Sequence, residues 1–145
     1  MATAERRADV VWRGDLQSGS GSLDLASSGA LTGANISFPS RTESPGGNTS
    51  PEELVAGAHA GCYAMALSNV LAEGGNTAEE LDVSATCTLD MGSLKITTVV
   101  LDVRGRVPGL DEEGFRSATE EAEQACPVSN ALRGNVDIQL NATLA

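Results

Sequence analysis

A chain of 145 residues that is 41% apolar, with formal net charge −11 and a pI near 4.3, is sized for one folding unit with its own core, a single domain over residues 1–145. The acidity argues against nucleic acid and anionic membrane surfaces as partners, because the long-range field repels phosphate. No basic start precedes an apolar run, no uninterrupted apolar segment reads as long enough to span a bilayer, and three cysteines unlike a secreted disulfide framework point to the cytoplasm.

The first third reads as short strands between Gly and Ser turns: Val10-Val11-Trp12-Arg13, Ser22-Leu23-Asp24-Leu25 and Asn35-Ile36-Ser37-Phe38. A small antiparallel sheet is expected. Ser18-Gly19-Ser20-Gly21-Ser22 lacks the lysine and following helix of a phosphate loop, so it is read as a turn. Pro39 to Ser50 meets every turn criterion and is expected to be a loop that delivers Arg41.

Ser50, Pro51 and Glu53 then form a helix start resembling a capping box, with Glu52 and Glu53 complementing the positive helix end. From Leu54 to Leu71 apolar and small residues occur almost all round, broken mainly by His59, Ser68 and Asn69. Such a helix must be covered on every side, and in so short a chain a second subunit is the natural cover. Gly57 and Gly61, one turn apart, suit either the approach of a partner backbone or tight internal packing. Glu73-Gly74-Gly75-Asn76 ends the helix.

Val83, Ala85, Cys87 and Leu89 alternate on one strand face, and after Asp90-Met91-Gly92-Ser93 a longer strand from Leu94 to Val103 completes a hairpin. A second helix follows from about Asp111, with Phe115, Ala118, Ala122 and Ala125 inward and a solvated stripe of glutamates outward. After Cys126-Pro127 a short helical turn closes at Arg133-Gly134, and Val136 to Leu144 alternates as a final strand.

Cys62 lies within the apolar helix and Cys126 precedes Pro127, so these thiols can meet only through the fold. No CxxC pair is present, which favours thiol redox chemistry over a metal centre. A cysteine in apolar surroundings keeps its proton, whereas a nearby guanidinium yields the nucleophilic thiolate. Arg41 is the candidate guanidinium, and Glu52 the carboxylate to hold it. Glu52 and Cys62 are separated by roughly 15 Å of helical rise, so they would approach only across an antiparallel pair of such helices. Cys126 suits either a helix N-cap with thiolate character or a small core residue. Cys87 reads as core, and His59 as a core histidine that could otherwise tune the thiol.

Ser50-Pro51-Glu52-Glu53-Leu54, Ala58-His59-Ala60-Gly61-Cys62 and Cys126-Pro127-Val128-Ser129 together closely resemble the OsmC/Ohr peroxidases, and the likeness runs from Val11-Trp12-Arg13-Gly14 through nearly the whole chain. His59, where the organic hydroperoxide resistance branch tends to carry Tyr, points to the osmotically induced branch. The resemblance implies an α+β fold of antiparallel sheets packed around long central buried helices, in an intertwined homodimer. It also implies that Cys62 is the peroxidatic cysteine, Cys126 the resolving one, Arg41 the loop arginine and Glu52 its partner. The expected activity is reduction of organic hydroperoxides, and more weakly hydrogen peroxide, through a Cys62 sulfenic acid resolved as a disulfide with Cys126. The implied reductant is a dithiol such as protein-bound lipoyl groups, with no cofactor and no metal. Three other readings compete: a Cys62–His59 hydrolase, which the one-helix spacing disfavours; a zinc site from His59, Cys62, Cys87 and Cys126, which asks four ligands to converge from unlike elements; and a non-catalytic pocket for hydrophobic small molecules with spectator thiols.

Overall fold

The structure is a computed structural model that describes residues 2–145. It contains two compact units, one ending at Pro51 and one spanning Glu52–Ala145.

In the first unit, β1 (Asp9–Arg13), β2 (Ser20–Asp24) and β3 (Ala34–Ile36) form an antiparallel sheet in the order β1-β2-β3. The expected strands are present, but Ser37 and Phe38 leave the last one. The serine-glycine tract also divides differently, since Gly21 and Ser22 lie within β2. Glycine is needed at position 21, where a Cβ would stand 2.8 Å from Ile36 and 3.0 Å from Trp12. The expected loop from Pro39 begins as a short helix, α1 (Phe38–Thr42), so Arg41 sits on a helical turn. Ser37 caps it by accepting from the Ser40 N–H, and the Ser40 hydroxyl accepts in return from the Ser37 N–H. Pro39 supplies a preset φ in the first turn.

The second unit starts with α2 (Pro51–Glu73). Its end is a Schellman arrangement: Gly75 adopts φ +87°, its N–H donates to Ala72 O, and Asn76 N–H donates to Leu71 O. Strands β4 (Glu80–Asp90) and β5 (Lys95–Arg106) make the expected hairpin, and Asp90 accepts from Ser93 N–H and Oγ in the turn. Helix α3 (Glu112–Ala125) is capped by Asp111 through Gly114 N–H. A short α4 (Pro127–Leu132) leads to β6 (Asp137–Leu144).

The second sheet has the order β4-β5-β6, and β6 runs parallel to β5. The expectation of antiparallel sheets therefore holds for every pairing except this one. The reason is the crossover: a strand reached through intervening helices returns in the direction it left, whereas a tight turn reverses it. Tyr63, Leu67 and Leu71 of α2, Val99, Leu101 and Val103 of β5, Phe115 and Ala122 of α3, and Cys126 share one core. Gly105 of β5 leaves room for Phe115, whose ring would lie 2.5 Å from a Cβ there.

By length and composition alone α2 is the one described helix that passes for a membrane span. Its Gly, Ser and His residues interrupt the apolar run without lowering the helix average below that of a spanning segment. One face of α2 is nevertheless committed to the unit's own core.

Candidate active site

The spacing of α2 carries Glu52, His59, Tyr63, Leu67 and Leu71 into the interior. Cys62 flanks this row and is half-buried, in contact with the core. Cys126 is fully buried in the bend where α3 ends and α4 begins. Its extended backbone, φ −78° and ψ 116°, lets Pro127 open the new helix. The sulfur of Cys126 caps α4 by accepting from Ser129 N–H at 3.5 Å, so the residue occupies the N-cap position and is also part of the core.

The fold brings the two sulfurs together. Cys62 lies close enough to Cys126 for the two thiols to act on each other's ionisation, and the Val128 backbone bears on Cys62 as well. All three cysteines are free thiols.

The electrostatics run against the expectation of a lowered Cys62 pKa. Burial raises it first, the Val128 N–H partly offsets this, and the adjoining Cys126 thiol raises it further. Within these surroundings Cys62 favours the protonated form. Cys87 is also pushed up, by burial and then by the negative charge of Glu52. Glu52, 7% exposed at the start of α2, therefore lies within electrostatic range of Cys87. Sequence spacing gave no sign of that neighbourhood, because the two residues lie 35 positions apart.

His59 is fully buried, and its Nε2 lies 2.7 Å from Ser129 Oγ. Burial lowers its pKa, opposed by the Glu123 charge. The expectation of a hydrogen-bonded core histidine holds, but only on one side, since Nδ1 is buried with no hydrogen-bond partner among the described residues. Ser129 was absent from the sequence-derived site. The only local signal was its position three residues after an N-cap cysteine. Tyr63, also fully buried, donates from its hydroxyl to Thr119 O at 2.8 Å, tying α2 to α3. Arg133 pairs with Glu123 at 2.7 Å and bonds Glu123 O at 2.9 Å, which ties the end of α4 to α3. Among the described residues no three His, Cys, Asp or Glu side chains converge as a metal-binding group. The site is thus a pair of adjoining thiols in an apolar setting, suited to cycling between dithiol and disulfide.

A family model described as "OsmC-like protein" matches residues 44–141. The chain is 35% identical over 138 residues to "Peroxiredoxin OsmC" of Escherichia coli (strain K12), covering 94% of this chain and 95% of that one. It is 33% identical over 113 residues to the "Organic hydroperoxide resistance protein" of Xanthomonas axonopodis pv. citri (strain 306), covering 74% and 76%. The crystal structure of the organic hydroperoxide resistance protein OhrB of Bacillus subtilis superposes with a TM-score of 0.68 at 30% identity, covering 94% of this chain and 98% of OhrB.

Proposed function

Because the chain belongs to the OsmC family, we propose that it is a thiol-dependent peroxidase that reduces organic hydroperoxides to alcohols and hydrogen peroxide more weakly. The observation that carries this reading is the nearness of Cys62 to Cys126 inside an otherwise apolar core. Of the two, Cys62 is the more accessible, which suits it to meet substrate, while the enclosed Cys126 suits resolution.

In this mechanism the Cys62 thiolate attacks one peroxide oxygen, the O–O bond breaks, and the alkoxide leaves with a proton as alcohol, giving a sulfenic acid at Cys62. Cys126 then attacks that sulfur. The S–O bond breaks, water leaves, and a Cys62–Cys126 disulfide forms. A dithiol of the lipoyl kind reduces it by exchange and is itself oxidised to a disulfide.

The first step needs a thiolate, and the groups around Cys62 raise its pKa. A cation must therefore act on it. Arg41 is proposed for that task, with Glu52 holding the guanidinium, so that Arg41 also stabilises the charge on the departing oxygen. An apolar surround favours an alkyl hydroperoxide over hydrogen peroxide, because the alkyl group gains from burial.

A homodimer completes the proposal, and α2 supports it. A Cβ placed on Gly57 or Gly61 would meet nothing within 4 Å, so internal packing does not explain these glycines, and Met65 beside them is 70% exposed. An apolar helix face left this open needs cover, and a second copy supplies it. A cytoplasmic setting would keep the three thiols reduced between turnovers.

Steady-state turnover of cumene hydroperoxide with dihydrolipoamide tests the reading. Cys62→Ser should lose about 10³-fold or more, while Cys126→Ser should complete its first oxidation and stall. Turnover retained in Cys62→Ser overturns the peroxidase assignment, and equal rates on hydrogen peroxide overturn the preference for organic substrates.

A further inference from the structure

His59 and Ser129 take no part in the chemistry just described, yet both are fully buried and bonded to each other at 2.7 Å. Ser129 is held on every polar atom. Its Oγ meets His59, its N–H donates to Cys126 Sγ, and its carbonyl accepts from Arg133 N–H at 2.8 Å. Helix α4 has only six residues, too few to hold its shape alone, so its first turn depends on such ties. That turn also carries Val128, whose backbone bears on Cys62. His59 and Cys62 stand three residues apart on α2, and the His59–Ser129 bond ties the turn that holds Cys126 to that same stretch of helix.

The cost of the histidine shows which of its bonds matters. Whichever nitrogen carries the proton, Nδ1 has no partner among the described residues, and an unsatisfied buried polar atom is destabilising. A leucine would fill the same core position without that cost. What leucine would lack is the bond from Nε2 to Ser129.

We propose that His59 is a positioning residue for the disulfide-forming step: acting through Ser129, it holds the first turn of α4 so that Cys126 stays against Cys62. The proposal rests on the peroxidase reading above. In this step the Cys126 sulfur bonds to the Cys62 sulfur, the S–O bond of the sulfenic acid breaks, and the thiol proton leaves with the hydroxide as water. The attack must come in line with the breaking bond, so its rate depends on how tightly the two sulfurs are held.

The test separates the two steps in single-turnover experiments on the full chain. Reduced protein is mixed with cumene hydroperoxide, loss of the Cys62 thiol is timed, and dimedone adduct at Cys62 is compared with Cys62–Cys126 disulfide. His59→Leu should oxidise Cys62 at the wild-type rate but form disulfide more slowly, on the order of tenfold to a hundredfold, with dimedone adduct rising to match. Ser129→Ala should reproduce the defect, and it decides the matter if His59→Leu fails to fold by circular dichroism. His59→Gln, whose amide nitrogen can reach Ser129 Oγ, should restore the partition, which a simple loss of packing would not do. Wild-type partition in both His59→Leu and Ser129→Ala, or in Ser129→Ala alone where His59→Leu does not fold, overturns the positioning role. Wild-type protein that leaves Cys62 unoxidised overturns the peroxidase reading and this role with it.

Discussion

Along α2, His59, Tyr63, Leu67 and Leu71 recur at every fourth position and are no more than 2% exposed, while Gly57, Gly61, Met65 and Ser68 on the other side are all exposed. Both faces are built from small or apolar residues, so composition alone does not distinguish them. The inner face is defined by specific bonds and close packing: a histidine on Ser129, a tyrosine on Thr119, and two leucines in the core shared with β5 and α3. The outer face has neither, and even its glycines border open space. Cys62 lies at the boundary, half-buried, where the ordered interior meets the face we assign to a second subunit. A helix apolar all round can therefore have one side settled within the chain and the other left for a partner.

The largest contrast should come from truncating a side chain on each face. Leu67→Ala removes a fully buried residue and should cost about 2–5 kcal/mol in urea denaturation. Met65→Ala should change the stability of the chain's own fold by less than about 0.5 kcal/mol. Comparable losses would erase the distinction between the faces. A narrower test is Tyr63→Phe, which keeps the ring but leaves Thr119 O without its donor, at an expected cost of about 1–3 kcal/mol.

Gly61→Ala sharpens the comparison from the outer side. It should stabilise the helix by up to about 1 kcal/mol, since the new methyl meets nothing within the chain. If a partner helix packs there, the same change should lower dimer affinity in sedimentation equilibrium, and unchanged affinity would move the interface elsewhere. The smallest expected effects are in pH dependence. The His59 pKa is lowered in the folded state, so the unfolded chain binds the extra proton first. Its contribution is fully present above the unfolded pKa of about 6.5 and is lost as pH falls through the lower folded value. The raised pKa values of Cys62 and Cys87 act at the other end, where stability should decline as pH rises beyond about 9. His59→Gln should flatten the acid limb and leave the alkaline one.

Features encoded within a few neighbouring residues were legible in the sequence. Asp111 capping α3, Pro127 following the capping Cys126, the turn after Asp90 and the Gly75 stop each depend on local backbone chemistry and occur where expected. Helix α1 was equally local but was hidden by its turn-rich composition, although Ser37 with Pro39 and Ser40 carried the start signal. The parallel pairing of β6 could have been inferred from the helices that precede it. The tie between His59 and Ser129 spans 70 positions and left no local trace. The direction of the Cys62 pKa shift was left open for a related reason: an apolar setting that keeps the proton and a cation that removes it were both in view, and which prevails depends on the packed core.

The central claim is that Cys62 and Cys126 act as one redox pair. The most direct measurement treats fully reduced protein with an equimolar organic hydroperoxide, quenches by acid, and maps the cysteines by peptide mass. A Cys62–Cys126 disulfide with Cys87 remaining a thiol is the expected product. Cys62 recovered as a thiol, or joined to Cys87 instead, would contradict it.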